Sequence, residues 1–327
     1  MLVERDSVTT GKQINSLVEQ LRDPRRSNGA LLALLENGRD ATPVLAEFLR
    51  TSKPSTLPEA RRLAVEGLSI LGGDEAVDAL IHVASENLDD LSDPVVRLAE
   101  ETVVSRAAGS LAGFSDPRTL EALLKMLEHR HVRGVAEAFE IRRDPRAIPY
   151  LISWLEDDFV ADAAARAIRA YGRLALPLLL DSLCRKTTRH GDETRMSERR
   201  RARILEVLAE STVQGEDLRP VEDALEDPVE AVRLSAVRAV LVHGNVGQQR
   251  RAFRIGLQLL DSSDRRVRWD CEEILFEHFV VGPDLVEHQI GQRRTAGESE
   301  CEFFPKETTL TILMRIDRKG KQTTGAR

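Results

Sequence analysis

The feature of the sequence that most constrains the fold is a helical pattern of apolar residues that recurs along most of the chain. In each copy apolar residues stand at positions i, i+3, i+4 and i+7, which places them on one side of an α-helix. The clearest copies are Ile14/Leu17/Val18/Leu21, Ala41/Val44/Leu45/Phe48, Val77/Leu80/Ile81/Ala84, Leu120/Leu123/Leu124/Leu127, Ile148/Leu151/Ile152/Leu155 and Leu176/Leu179/Leu180/Leu183, and weaker ones begin at Leu218 and Ala252. Such self-similarity is typical of repeat architectures, in which each unit stacks on its neighbours.

A second helical pattern follows the first within each unit and has a small residue at its centre. It places an apolar residue at i, a small residue at i+4 and apolar residues near i+7 and i+8. The small residues of the four clearest copies are Ala136, Ala164, Ala236 and Cys271. Because a small side chain lets a neighbouring helix approach closely, as packing of ridges into grooves requires, the alternation predicts a stack of helix pairs.

The spacing of turn residues agrees with this arrangement. Asp116-Pro117 and Asp144-Pro145 precede helices of the first kind, and Asp93-Pro94 and Asp227-Pro228 precede helices of the second kind. Asp is a good N-cap and Pro suits the first helical position. Before residue 300 we find no convincing strand with period-two alternation, so the predicted fold class is all-α.

Two segments carry a resemblance to a known family. The stretch Asp144 to Leu151 (DPRAIPYL), followed by an acidic turn and an Ala-rich helix, resembles a HEAT repeat, more narrowly the short HEAT-like variety named after phycobilisome lyases. The stretch Leu225 to Leu241 resembles the second helix of such a repeat. This resemblance covers about residues 13–281 and implies a right-handed α-solenoid of about eight two-helix repeats, whose second helices line a concave face. It also implies a structural ladder between repeats, for which the matching positions are Asp227, Arg233, Arg268 and Arg133.

The chain divides on this basis into three segments. Residues 1–12 form an N-terminal lead, residues 13–281 the solenoid with an insertion at 185–198, and residues 282–327 a C-terminal tail. The stretch Thr308 to Ile316 of the tail is β-prone and partly alternating. It could add as an edge strand to a partner, or fold back as a cap over the exposed end of the last repeat, and both alternatives stay open.

Charge is unevenly distributed along the chain. The net charge is −7, yet the stretch from Arg185 to Arg203 contains eight Lys/Arg against three Asp/Glu. In solenoids insertions often mark the binding face. We therefore take the basic residues of this stretch as the candidate partner-binding site. The alternative is that they belong to a solvated loop with no binding role. The members of this basic cluster are Arg185, Lys186, Arg189, Arg195, Arg199, Arg200, Arg201 and Arg203.

An anionic partner would fit this cluster, either an acidic protein segment or the backbone of a nucleic acid. A dedicated nucleic-acid binder is expected to be basic overall and to offer stacking aromatics near its basic patch. This chain has a pI of about 5.7, and the insertion contains no aromatic residue. A protein partner with an acidic segment is therefore favoured. The second hypothesis is binding of a nucleic-acid backbone through the basic C-terminal third, that is, through the Arg185–Arg203 region and the basic tail.

The sequence shows little that indicates catalysis. The motifs GxGxxG, GxxxxGK[ST], HExxH and GxSxG do not occur, and His129 and His131 have no further ligand at metal-binding spacing. Bilin lyases and HEAT-like alkylpurine DNA glycosylases are the enzymes that the resemblance allows. Trp154 with Asp158, or Trp269 with Asp270, could take glycosylase roles. Packing at a repeat junction is the preferred explanation for Trp154, and capping of the next helix is the preferred explanation for Asp157 and Asp158. We therefore predict no catalytic residue, metal or cofactor, and rank an enzyme third.

Cysteine usage and hydropathy concern the cellular compartment. The three cysteines are odd in number and far apart, which favours a reducing compartment such as the cytoplasm. The longest purely apolar stretch has seven residues, far short of the roughly 20 that span a bilayer. These two features predict a cytoplasmic protein that has no contact with a membrane. Together with the repeats and the basic cluster, they predict a scaffold or adaptor that binds another protein.

Overall fold

The computed structural model describes residues 12–213, 217–301 and 307–325. The chain forms two compact units, Met1–Tyr171 and Gly172–Arg327. The predicted N-terminal lead, residues 1–12, lies outside the described residues except for Lys12.

The first unit consists of helices joined by short connections. Its helices are α1 (residues 12–20), α2 (Ser27–Glu36), α3 (Thr42–Thr51), α4 (Glu59–Leu71), α5 (Asp74–Ala84), α6 (Pro94–Ser110), α7 (Pro117–His129), α8 (Arg133–Arg142), α9 (Ile148–Trp154) and α10 (Ala161–Tyr171), with 3-10 turns at Gly38–Ala41, Leu111–Gly113 and Pro145–Ala147.

The second unit is also helical and contains one small hairpin. Its elements are α11 (Leu176–Cys184), β1 (Thr188–Arg189), β2 (Asp192–Glu193), α12 (Arg195–Ala209), α13 (Arg219–Asp223), α14 (Glu230–His243), α15 (Val246–Leu259), α16 (Arg265–Glu277), α17 (Pro283–Thr295) and α18 (Thr309–Gly325), with 3-10 turns at Gly172–Leu174, Ala224–Glu226 and Phe279–Val281.

Within each unit consecutive helices pair, and the pairs stack. In the first unit α3 packs on α4, α5 on α6, α7 on α8 and α9 on α10, while α2, α4, α6, α8 and α10 contact one another in series. In the second unit the pairs are α11/α12, α13/α14, α15/α16 and α17/α18, and α12, α14, α16 and α18 form the corresponding series. The predicted all-α architecture of stacked two-helix repeats is confirmed.

The small residues of the second pattern lie where adjacent helices meet. Ala136, Ala164, Ala236 and Cys271 each have a relative exposure of 0%. The closest approach occurs at Gly134 in α8, where an added Cβ would overlap the backbone carbonyl of Ser105 in α6. The Gly134 amide donates to Ser105 Oγ at 2.8 Å. The tight contact between α6 and α8 therefore depends on the absence of a side chain at Gly134.

The C-terminal stretch corrects the prediction of a β-prone segment. Residues 309–325 form helix α18, which packs against α16 and α17 as a further helix pair. Leu310, Leu313 and Ile316 are spaced by three residues, and each is at most 2% exposed. Since this spacing also suits a helix, burial of one helical face outweighs the weaker intrinsic preference of Thr and Ile for strands.

The described helices give no indication of a membrane span. Among residues 12–213, 217–301 and 307–325, no helix is both long enough and apolar enough to cross a bilayer.

Candidate functional site

The insertion in the sixth predicted repeat forms a β-hairpin between α11 and α12. Thr188 pairs with Glu193 and Arg189 with Asp192 in an antiparallel register. The two turn residues, His190 and Gly191, both have positive φ values, of 57° and 95°. Positive φ at both central residues is the requirement of a tight two-residue hairpin turn, which glycine meets without strain. The insertion is therefore an ordered hairpin that leads directly into α12.

A buried ion cluster fixes the base of this hairpin. Arg201 of α12 is 2% exposed. Its guanidinium donates to Glu193 of β2 at 2.7 and 2.8 Å and to Asp227 at 2.6 and 3.0 Å. Lys186 Nζ adds a hydrogen bond to Asp227 Oδ2 at 3.2 Å. Charge-assisted bidentate hydrogen bonds are strong, and they also fix the relative orientation of the two groups. The cluster therefore sets the position of β2 relative to α12.

The charges of the cluster support one another. Burial alone would raise the pKa of Asp227, but hydrogen bonds from Arg201, the Val229 amide and Lys186 outweigh it, and the pKa is lowered. Burial likewise opposes the charged form of Arg201, yet Asp227 and Glu193 raise the pKa of the guanidinium. Both groups are therefore held in their ionised forms.

A buried serine completes the attachment of the hairpin. Ser197 is 0% exposed, and its Oγ donates to Glu193 Oε1 at 2.7 Å while it accepts from the Thr187 amide at 3.0 Å. Thr194 caps α12 by accepting from the Ser197 amide at 3.2 Å. The hairpin is thus attached to the first turn of α12 on both of its strands.

The exposed side chains of the hairpin and of the first turns of α12 are mainly basic, with Asp192 as an exposed carboxylate among them. Arg189 and His190 on the hairpin and Arg195 and Arg199 on α12 are exposed. Arg195 and Arg199 are four residues apart and therefore lie on one face of the helix. Met196, 52% exposed, lies beside them. We call Arg189, His190, Arg195, Met196 and Arg199 the hairpin surface.

The structure separates the eight predicted basic residues into different roles. The prediction that Arg201 contacts a partner is wrong, because its guanidinium is buried and saturated by two carboxylates. Lys186 contributes to the same ion cluster. Arg185 is exposed and pairs with Asp181 at 2.7 Å, while Arg200 donates to the Arg185 carbonyl at 2.9 Å. Arg203 is half-buried. Sequence spacing could not distinguish these residues, because each is an arginine or lysine in one run.

The predicted ladder also differs from the observed contacts. Asp227 pairs with Arg201 of the preceding repeat, whereas Arg233 donates to the backbone carbonyl of Asp227 at 2.7 Å. Arg268 makes the equivalent bond to the Ser262 carbonyl at 2.6 Å. Arg133 pairs with Glu137 one turn along its own helix at 2.9 Å. Arg233 and Arg268 therefore fix the loop that precedes their own helix, and the link between repeats is made by Arg201.

The two tryptophans lie in different environments. Trp154 is 1% exposed, and its ring lies 5.2 Å from that of His131, so the glycosylase role considered for it is incompatible with its place in the core. Trp269 is 63% exposed and borders a groove of about 730 Å³ between α16 and α18. In that groove Arg315 is bound by Glu272 at 2.5 and 2.7 Å and by Glu307 at 2.8 Å.

This groove was not predicted, because its walls come from helices about 40 residues apart in the sequence. Lys319 Nζ lies 5.7 Å from the ring centre of Phe276, and both acidic and basic side chains line the walls. The groove beside Trp269 therefore carries both basic and acidic side chains.

The His, Cys, Asp and Glu side chains of the described residues do not form a metal site. Within the described part of the chain, no three of these side chains come close enough to hold an ion. His131 Nδ1 instead lies 2.9 Å from Asp157 Oδ2, which connects two neighbouring loops.

Comparison with known proteins supports the repeat assignment. Residues 95–172, from the second residue of α6 to the residue after α10, match the sequence model of the family described as HEAT repeats. No curated protein matches the chain significantly. The family match supports a HEAT-repeat protein and a helical scaffold of the kind that commonly mediates protein interactions.

Proposed function

We propose that this HEAT-repeat protein is a protein-binding scaffold or adaptor, and that its hairpin surface docks an acidic segment of the partner. One observation carries the proposal, namely that the exposed Arg189 on the hairpin and the exposed Arg195 and Arg199 at the start of α12 belong to two elements that the buried Arg201 cluster holds together. The insertion at 185–198, which is absent from the other repeats, places these arginines on an ordered hairpin and on the start of α12.

The physical reason is preorganisation. Arginine recognises carboxylates through a planar fork of donors, and pairs of this kind are stronger than neutral hydrogen bonds. Holding the donors in place before binding lowers the entropy lost on association. Met196, next to Arg195 in the sequence, adds an exposed apolar side chain. The partner segment is therefore expected to carry Asp or Glu residues and at least one apolar side chain.

A protein is favoured over a nucleic acid by the charge around the hairpin surface. The second unit contains 26 Lys/Arg and 26 Asp/Glu, so the basic surface belongs to a unit without net charge. A nucleic-acid duplex requires a broad positive footprint. Nucleic-acid binding is kept as the alternative that the experiment below distinguishes.

The experiment compares two anionic probes by fluorescence anisotropy. A fluorescein-labelled peptide of alternating Glu and Leu should bind the full chain, and the same peptide with Gln in place of Glu should not. A labelled DNA duplex of equal charge should bind much more weakly. Tight DNA binding that weakens steeply with salt, in the absence of peptide binding, would assign the hairpin surface to nucleic acid and overturn the proposal.

We extend the proposal to the other aspects of function. The chain acts by binding rather than by catalysis, and its repeats belong to the short phycobilisome-lyase-type variety of HEAT repeat. It works in the cytoplasm, a compartment in which its three cysteines stay reduced. The support for this compartment is that Cys184, Cys271 and Cys301 are all free thiols, and that Cys184 is exposed.

A further inference from the structure

A second surface lies in the first unit, along the edge formed by the loops that lead from the first helix of each pair to the second. These loops comprise residues 52–58, 85–93, 130–132 and 155–160. Because helices α4, α6, α8 and α10 stack in series, their N-termini and the preceding loops lie along the same edge of the unit.

Hydrogen bonds join these loops to their neighbours. The Ser55 amide donates to Glu100 Oε1 of α6 at 3.1 Å. Arg130 Nη1 donates to the Glu86 carbonyl at 2.7 Å, and His131 Nδ1 lies 2.9 Å from Asp157 Oδ2. Each bond links a loop to the next repeat. The edge is therefore one continuous, ordered surface rather than a row of independent loops.

A buried ion cluster joins two of these loops to α6. Arg61 of α4 is 4% exposed and contacts Glu86 at 2.5 Å and Glu100 at 3.3 Å. Its Nη1 also donates to the Ser52 carbonyl at 3.0 Å. The loop 52–58, the loop 85–93 and α6 are thus held by a single buried guanidinium.

Large apolar side chains stand exposed along this ordered edge. Leu57 is 78% exposed, Val95 60%, Leu98 66% and Phe159 93%. Gly134, the second residue of α8, packs against Ser105, so the first turns of α6 extend beyond the start of α8 and leave Val95 and Leu98 uncovered. Large apolar side chains that stand exposed at several points of one ordered edge favour an interaction site.

Acidic side chains accompany these apolar residues. The loop 85–93 contains four carboxylates and no Lys or Arg, and Asp89, Asp90 and Asp93 are exposed. The first unit as a whole has 28 Asp/Glu against 21 Lys/Arg. The edge thus combines apolar contacts with negative charge, the reverse of the hairpin surface.

We propose that this edge, named the loop edge and formed by Leu57, Asp89, Asp90, Val95, Leu98 and Phe159, binds an amphipathic basic segment of a partner protein. The apolar face of the segment covers the four apolar side chains, and its Lys or Arg residues face the aspartates. Successive helices pack about 8–10 Å apart, so the three steps from α4 to α10 span about 25–30 Å. A helix of about 18 residues has this length.

The test uses a defined probe and the full chain. The probe is a fluorescein-labelled 18-residue helix with Leu on one face and Lys on the other, and its affinity is measured by fluorescence anisotropy. Phe159→Ser and the double variant Asp89→Asn/Asp90→Asn should each weaken binding, Phe159→Ser by about tenfold or more, as expected for an aromatic anchor. Asp93 is left intact because its carboxylate caps α6 by accepting from the Val95 amide at 2.8 Å.

Two matched controls lie on the opposite edge of the same unit. Ile141→Ser removes an apolar side chain that is 68% exposed near the end of α8, and Asp74→Asn/Glu75→Gln removes two exposed charges at the start of α5. Both should retain wild-type affinity within about twofold. The circular dichroism spectrum of every variant should match that of wild type, which checks that folding is unchanged.

Three results would overturn the proposal. Equal weakening by the controls would show that any acidic region of the chain attracts the probe. Equal affinity for a probe with Glu in place of Lys would exclude charge recognition. Sedimentation velocity that shows a wild-type dimer and a Phe159→Ser monomer would identify the occupant as a second copy of this chain.

Discussion

The guanidinium of Arg201 in α12 donates two hydrogen bonds, of 2.6 and 3.0 Å, to the carboxylate of Asp227 in the loop before α14. The two residues belong to successive repeats, and both are buried. Their contact therefore connects one repeat to the next at the point where the hairpin leaves the stack, so the stability of the fold and the placement of the hairpin depend on one pair.

Removal of this guanidinium should be costly. Arg201→Ala leaves Glu193 and Asp227 buried without their partner, and we expect a loss of about 3–5 kcal/mol in the free energy of unfolding, measured by urea denaturation. Arg195→Ala is the matched control, since its side chain is exposed on the same helix, and it should leave the denaturation midpoint nearly unchanged. Similar midpoints for the two variants would contradict the structural role of Arg201.

The close approach of α6 and α8 gives a second prediction. Gly134→Ala places a methyl group on the Ser105 carbonyl, which is backbone and cannot move aside, so the melting temperature should fall by several degrees. Gly109→Ala, on the facing helix, meets its nearest atom at 3.7 Å and should be neutral or slightly stabilising. An unchanged melting temperature for Gly134→Ala would show that the two helices are farther apart.

The buried Glu100 predicts a pH dependence in the first unit. Burial raises the pKa of Glu100 above its ordinary value of 4.5, and the nearby Arg61 opposes this only in part. The folded state therefore binds the proton more tightly than the unfolded chain. This contribution to stability is fully present below pH 4.5 and is lost as pH rises through the raised pKa.

The measurement compares wild type with Glu100→Gln, which does not titrate. The free energy of unfolding of wild type minus that of the variant should decrease from pH 4.5 toward neutrality. A difference that increases over this range would mean that Arg61 dominates and that the carboxylate is stabilised by folding.

The C-terminal pair α17/α18 is expected to act as a cap for the stack. Leu310, Leu313 and Ile316 are buried, and an added Cβ at Gly320 would overlap the ring of Phe279. Truncation after Gly282 should therefore lower the melting temperature and promote association, because the apolar side of the last repeat becomes exposed. Unchanged melting together with lost partner binding would instead make α18 a docking element.

Much of the fold could be predicted from the sequence, because local patterns determine it. The i, i+3, i+4, i+7 spacing in Ile148/Leu151/Ile152/Leu155 specifies a helical face regardless of what lies beyond it, and all four residues are at most 4% exposed. The same reasoning failed at residues 309–316. There a short run of Thr and Ile suits either secondary structure, and burial against α16 and α17 decides the outcome.

The candidate site could be predicted only in outline. The basic insertion was visible as a run of charges, but whether an arginine faces water or a buried carboxylate depends on residues distant in sequence. Asp227 lies 26 positions after Arg201, and no local pattern relates them. The loop edge could not be predicted for the same reason, because Leu57, Leu98 and Phe159 belong to three different helix pairs and come to one edge only through stacking.

Charge reversal on the hairpin surface tests the central claim most directly. The affinity of the labelled Glu/Leu peptide is measured for wild type, for Arg189→Glu/Arg195→Glu, and for the control Arg254→Glu/Arg266→Glu, which reverses two exposed charges elsewhere in the second unit. We expect the hairpin variant to lose at least tenfold in affinity with an unchanged circular dichroism spectrum, and the control to bind within about threefold of wild type, since screened distant charges contribute little. Wild-type affinity in the hairpin variant, or an equal loss in the control, would contradict the assignment of the hairpin surface as the docking site.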